Sequence, residues 1–141
     1  MTKKVAIFIS GSGSNMVSLV KSMHSLQFAL PTLVLSNKRD ASGLIKARNL
    51  KIPTVCVEAE KAAGFDLNFE AAIQNELENY KIDIICLAGF MRVLSAGFID
   101  FWQGKILNIH PSLLPKYKGL NTHERVLENH EELTGCTVHE V

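Results

Sequence analysis

Short apolar segments alternate along this chain with segments in which apolar residues recur every three or four positions. The first pattern is typical of buried β-strands and the second of amphipathic helices. The predicted strands are Val5–Ser10, Pro31–Ser36, Pro53–Val57, Ile82–Ala88, Lys105–Ile109 and Thr134–Val141. Helices are predicted from Ser14 onward, around Leu44 to Leu50, and over Phe65–Tyr80, Phe98–Trp102 and His123–Glu132.

This alternation predicts an α/β fold with a doubly wound, mostly parallel open sheet that has helices on both faces. The chain has 141 residues, which is the size of one domain, so residues 1–141 are expected to form a single unit. If the strand order is the common 3-2-1-4-5, the order reverses between strands one and four. Ligands of such sheets bind at the carboxyl ends of the strands near that point.

Three distinctive segments follow strands that meet at this predicted crevice. Gly11–Asn15 follows strand one, Gly89–Arg92 follows strand four, and Asn108-Ile-His-Pro111 ends strand five. The long connection from Pro111 to Asn121 has the composition of a shaped loop, and loops of this length in compact domains are often functional. We therefore expect the ligand site where these segments converge.

The glycine segment is suited to binding a phosphate group through Gly13, Ser14 and Asn15, because main-chain amides at a helix start attract anions. The alternative is a tight turn in which Ser14 or Asn15 caps the helix. Met16 stands where a dinucleotide fingerprint needs its third glycine, which disfavours a nicotinamide cofactor, although Lys38 and Arg39 leave a 2′-phosphate form open. The lysine of a P-loop is also missing.

Asn108 and His110 lie two positions apart, so strand alternation predicts that they share one face. The amide can donate to a developing oxyanion, and the imidazole can exchange a proton near neutral pH. The alternative is a histidine whose hydrogen bonds are satisfied locally at a strand end. For Arg92, the alternatives are pairing with a ligand carboxylate and a structural ion pair.

Composition narrows the function further. The formal net charge is +1, which argues against a nucleic-acid partner, and no apolar run is long enough to span a membrane. Cys56, Cys86 and Cys136 are widely spaced and form no Cys-x-x-Cys pair, so we expect neither disulfides nor a thiolate metal site. They are interpreted as small buried apolar residues of a cytoplasmic protein.

Three motifs together resemble the phosphoribosylglycinamide formyltransferases, the folate-dependent enzymes of purine biosynthesis. The motifs are Ile9-Ser-Gly-Ser-Gly-Ser-Asn15, Leu87-Ala-Gly-Phe-Met-Arg92 and Leu107-Asn-Ile-His-Pro-Ser-Leu-Leu-Pro-Lys-Tyr117, and the resemblance runs from Val5 to Val141. It implies a Rossmann-like formyltransferase fold. It also implies two small-molecule substrates, glycinamide ribonucleotide and 10-formyltetrahydrofolate, with no metal and with the protein as a monomer or weak homodimer.

The resemblance also implies a role for each motif. Gly13, Ser14 and Asn15 are expected to hold the ribonucleotide phosphate. Met91, Arg92, Val93 and Leu94 are expected to line the pterin pocket, largely through main-chain contacts, with Asn108 also next to the folate. The ribonucleotide amine is expected to attack the formyl carbon, while Asn108 stabilises the oxyanion and His110 supplies charge and a proton.

Three departures from the family pattern qualify these expectations. The aspartate that orients the histidine in the family is expected a few residues past Val141. The domain is thus expected to lack its C-terminal part and, made as 141 residues, to be poorly active. Asn68 replaces a folate-binding arginine, and Asn121 replaces a common histidine. The alternatives are a transfer-RNA formyltransferase, a formyl-folate deformylase, and a phosphate-binding module without catalysis.

Overall fold

The computed structural model describes residues 2–25, 28–62, 64–110 and 137–140, with only the main chain described at 109–110 and 137–140. One sheet holds the strands in the order β3-β2-β1-β4-β5-β6. The strands are Lys3–Ile9 (β1), Ala29–Ser36 (β2), Thr54–Cys56 (β3), Ile84–Leu87 (β4), Ile106–His110 (β5) and Thr137–Glu140 (β6). The first five are parallel and β6 is antiparallel to β5, so the predicted mostly parallel sheet and its strand order are confirmed.

The central strand β1 explains why the sheet is covered on both faces. Its side chains alternate between two cores: Val5, Ile7 and Ile9 enter one, and Ala6 and Phe8 enter the other. All five are essentially inaccessible to solvent. A strand buried on both faces reads as a continuous apolar run, which is the pattern that predicted it.

Among the described residues, two helices cover each face of the sheet. The helices are Ser14–His24 (α1), Ser42–Asn49 (α2), Leu67–Asn79 (α3) and Ala96–Phe101 (α4). Buried residues of α1 and α2 belong to the first core, and those of α3 and α4 belong to the second. The predicted stripe of Phe69, Ile73 and Leu77 on α3 is buried. Burial of each such side chain stabilises the folded state by about 1.5–3 kcal/mol. The doubly wound architecture is therefore confirmed.

The predicted boundaries differ from the observed ones by a few residues. The second strand begins earlier than predicted, at Ala29, and the fourth is limited to Ile84–Leu87. The predicted loop Pro111–Asn121 and helix His123–Glu132 lie outside the described residues. None of the helices in the described ranges has the length and apolar character needed to cross a membrane.

Candidate functional site

A pocket of about 180 Å³ lies at the carboxyl ends of β1 and β4, where the strand order reverses. Residues 11–15 line it together with Ala88 and Gly89, so two of the predicted segments do converge. The N-cap of α1 is Gly13, which has no side chain to accept hydrogen bonds from the first turn, and that turn carries no acidic residue. The free amide groups of this first turn, together with the positive end of the helix, can therefore bind one phosphate-sized anion.

The conformation of this loop depends on two glycines. Gly13 has a φ of +69°, in the left-handed region that glycine adopts most easily, and Ser14 is already helical. The prediction that Ser14 or Asn15 caps α1 is therefore wrong. Gly43, in the first turn of α2, donates its amide hydrogen to the carbonyl oxygen of Gly11 at 3.0 Å. The start of α2 thus lies directly against the loop.

A second pocket, of about 320 Å³, lies next to the ends of β2 and β4. Its lining includes Met91, Arg92 and Val93 from the predicted folate segment, and Asn37, Lys38, Ala62 and Gly64 from neighbouring loops. Met91 is 69% exposed and Val93 59%, so these apolar side chains border open space. Leu94, by contrast, is buried in the core beneath α3 and α4, which leaves only its main chain for a ligand.

Arg92 binds main-chain oxygens and an aromatic ring. Its guanidinium donates to the carbonyl oxygens of Ala62 at 3.1 Å and Gly64 at 3.2 Å, and lies 5.6 Å from the centre of the Phe69 ring. Its Nε is buried with no hydrogen-bond partner among the described residues. Within that part of the chain, Arg92 forms no ion pair with a protein carboxylate, because its guanidinium is bonded to carbonyl oxygens of the β3–α3 loop. Pairing with a ligand carboxylate, the other alternative, stays a prediction.

Asn108 lies on β5 beside Leu87 of β4, two residues before Gly89 of the first pocket. On the other side its strand partner is His139 of β6. Asn108 is half-buried, and β5 ends at His110, whose strand partner is Thr137. The strand bearing both residues thus reaches the same edge of the sheet as the pocket.

The other candidate site residues make ordinary structural contacts or lie away from the two pockets. Arg39 forms an exposed ion pair with Glu58 at 3.0 Å. Asn68 is exposed and lies 3.4 Å from a carboxylate oxygen of Glu60. Cys86 is buried as predicted, whereas Cys56 is only partly buried, and Cys136 is outside the described residues. In the part of the chain that the structure describes, no cluster of three or more potential ligand side chains could hold a metal ion.

Four polar residues near the site were not singled out from the sequence. Ser10 immediately follows β1 and Asn37 immediately follows β2, and the Ser10 hydroxyl donates to the Asn37 side-chain oxygen at 2.5 Å. Glu70 is buried in α3 and accepts two hydrogen bonds from Ser95, which precedes α4. For Glu70, the sequence did contain a signal of burial, because this acidic residue lies one turn before Ile73 on the apolar stripe of α3.

The fold and this site belong to a known class. A family model described as formyl transferase matches residues 3–141, and the chain belongs to that family. Within it, the chain is similar to phosphoribosylglycinamide formyltransferases. A solved structure of that name from Brucella melitensis is 45% identical, has a TM-score of 0.82, and matches 99% of this chain and 73% of its own.

Two curated relatives extend the comparison. Phosphoribosylglycinamide formyltransferase from Haemophilus influenzae is 44% identical over 138 residues, which are 97% of this chain and 65% of the relative. The trifunctional purine biosynthetic protein adenosine-3 of Gallus gallus is 49% identical over 137 residues, 96% of this chain but 14% of the relative. The chain therefore spans about two thirds of the first and one seventh of the second.

Proposed function

We propose that the protein transfers the formyl group of 10-formyltetrahydrofolate to the amine of glycinamide ribonucleotide, in purine biosynthesis. The observation that carries this proposal is the pocket shared by residues 11–15 and Gly89 at the switch point of the sheet. It has the dimensions and amide groups for a phosphate, and the segment beside it borders a second, larger pocket. The names of the Brucella and Haemophilus relatives support the same reaction.

The two pockets suggest how the substrates are divided. Gly13, Ser14 and Asn15 hold the ribonucleotide phosphate, and Met91, Arg92, Val93 and Leu94 receive the folate. The pterin contacts the main chain of this segment, since Leu94 is buried and Arg92 is engaged with the β3–α3 loop. Asn108 lies one strand away from that segment, at the height of Leu87.

The proposed chemistry is direct acyl transfer. The amine nitrogen of the ribonucleotide attacks the formyl carbon, and a carbon–nitrogen bond forms while the formyl oxygen becomes negative. Asn108 donates a hydrogen bond to that oxygen, and His110 adds positive charge near it. As the bond to the folate nitrogen breaks, that nitrogen takes a proton by way of His110 and the attacking amine loses one. The protein contributes orientation and charge stabilisation, because the folate already carries an activated formyl group.

Substitution of the two catalytic candidates tests this assignment in the product of the complete reading frame. Asn108→Ala is expected to lower kcat by about 100- to 1,000-fold, the usual effect of removing one oxyanion donor. His110→Ala is expected to lower kcat by about 100- to 10,000-fold, as for loss of a general acid–base. Both variants should bind the ribonucleotide as tightly as the wild type in calorimetry. Normal turnover by either variant would show that its role is wrongly assigned.

The remaining features of the proposal concern partners and location. The two substrates are small molecules, and we propose a cytoplasmic monomer or weak homodimer without nucleic-acid or membrane partners. The free thiols of Cys56 and Cys86 fit a reducing compartment. Sedimentation of the purified protein measures its oligomeric state. The expectation of a histidine-orienting aspartate past Val141 stays a prediction, which the reading frame beyond that codon tests.

A further inference from the structure

The segment Met91–Leu94 is held at both ends by side chains that come from distant parts of the chain. We propose that Ser10 and Glu70 are positioning residues that fix this segment in the shape that receives the formyl-folate. The inference rests on the proposed function, because it gives these two residues a purpose in the same reaction. Neither residue lines either of the two pockets, so both act through the segment.

Ser10 holds the first residue of the segment. Its hydroxyl accepts the amide hydrogen of Met91 at 2.8 Å and donates its own hydrogen to Asn37. Ser10 is only 6% exposed, and it immediately precedes Gly11 of the phosphate-binding loop. A hydroxyl has one hydrogen to give, so bonding to Asn37 fixes its lone pairs toward Met91. Ser10 thus links the segments that follow three neighbouring strands, β1, β2 and β4.

Glu70 holds the residue that follows the segment. One carboxylate oxygen accepts the amide hydrogen of Ser95 and the other accepts its hydroxyl hydrogen, each at 2.6 Å. The Ser95 hydroxyl in turn accepts the amide hydrogen of Phe98 and caps α4. Glu70 is 7% exposed, and a buried acidic side chain is costly unless it is hydrogen-bonded. These short bonds supply that compensation and tie α3 to the end of the segment.

Contacts of Phe90 and Arg92 restrict the main chain of the segment further. The ring of Phe90, just before Met91, packs edge-on against Phe8 at 5.3 Å and is stacked with Phe69 at 6.4 Å. Arg92 is bound to the β3–α3 loop. The main chain is therefore held while Met91 and Val93 stay exposed beside the pocket. Because the segment is already ordered before the ligand binds, binding loses less conformational entropy and the affinity is higher.

The test compares Ser10→Ala and Glu70→Gln with Gln74→Met in the product of the complete reading frame. Gln74 is the matched control, because its side chain accepts a hydrogen bond from the Trp102 indole at 2.9 Å and links α3 to the residue that follows α4, outside the segment. Glutamine at position 70 has one acceptor oxygen, so one of the two Ser95 donors loses its partner. Steady-state kinetics with each substrate varied and amide hydrogen exchange over residues 89–96 are measured for all three variants.

We expect Ser10→Ala and Glu70→Gln each to raise KM for 10-formyltetrahydrofolate about fivefold, the usual worth of one hydrogen bond. The ribonucleotide KM should stay at its wild-type value, and Gln74→Met should change neither KM. Amide exchange should accelerate at Met91 in the first variant and at Ser95 in the second.

Two different results would contradict the positioning role and the proposed function, respectively. An active wild type with unchanged folate KM in both variants, or with both KM values raised equally, overturns the positioning role alone. A folded wild type that binds neither substrate overturns the proposed function, and with it any role toward the folate.

Discussion

At the scale of single residues, Gly43 shows how tightly the proposed phosphate-binding loop, residues 11–15, is packed. A Cβ atom at this position would lie 2.5 Å from Cδ1 of Ile9 and 3.0 Å from the carbonyl oxygen of Gly11. Ile9 is fully buried, so its side chain has little room to move away, and the carbonyl oxygen of Gly11 belongs to the loop that lines the pocket. Gly43 is therefore a packing requirement of the site, although it contacts no proposed ligand.

We expect Gly43→Ala to reduce the free energy of unfolding by about 1–3 kcal/mol, the usual cost of overpacking. It should also weaken ribonucleotide binding, because the added methyl group pushes on Gly11. Gly97→Ala is the matched control: its Cβ meets only the Ser95 hydroxyl at 3.9 Å, and alanine favours the helix. Urea unfolding and calorimetry measure both effects, and equal behaviour of the two variants would refute the packing argument.

Burial of Cys86 makes its thiol less reactive. Burial raises the pKa of its thiol to about 11, so the nucleophilic thiolate is scarce at neutral pH. We expect a thiol reagent to modify Cys86 only after unfolding, whereas Cys56, partly exposed, should react faster in the native protein. Mass spectrometry of each labelled cysteine checks this, and rapid native labelling of Cys86 would contradict it.

At the scale of secondary-structure elements, Asp66 sets where α3 begins. One carboxylate oxygen accepts the amide hydrogen of Phe69, and the other accepts those of Glu60 and Lys61. The hydrogen bonds from Lys61, Phe69 and Glu60, which outweigh desolvation, hold the pKa of Asp66 below its ordinary value. The cap thus orders both the helix start and the loop whose carbonyl oxygens bind Arg92.

The lowered pKa of Asp66 predicts a pH dependence. A carboxyl group with a depressed folded-state pKa stabilises the fold above its unfolded pKa, and that contribution is lost as pH falls through the folded pKa. Asp66→Asn should therefore be less stable than wild type at about pH 6, and the difference should shrink by about pH 3, below the ordinary aspartate pKa. Urea unfolding measures this, with the exposed Asp100→Asn as control. A difference that is independent of pH would contradict the assignment.

The elements themselves could be predicted because their patterns are local. The apolar stripe of α3 and the alternating residues of β1 lie on the predicted faces, and the two strand ends that carry the first pocket follow from the topology. The hydrogen bonds that shape the site could not be predicted. Ser10 and Met91 are 81 positions apart, and Glu70 and Ser95 are 25 apart. No periodicity along the chain encodes such pairs.

At the scale of the whole molecule, the proposed site lies where the strand order of the sheet reverses. The chain builds β1 to β3 on one side and continues with β4 to β6 on the other. The helices of both halves leave a crevice at the ends of β1 and β4. The glycine loop, the segment that we propose receives the folate, and the strand that carries Asn108 all reach that edge. The two substrates that we propose would therefore meet at this edge of the sheet.

The most direct test of formyl transfer follows the formyl group itself. The product of the complete reading frame is incubated with glycinamide ribonucleotide and 10-formyltetrahydrofolate whose formyl carbon carries an isotopic label. We predict that the label appears in the formylated ribonucleotide, in step with loss of the formyl-folate. Recovery of the label as formate, or no transfer by a folded protein, would contradict it.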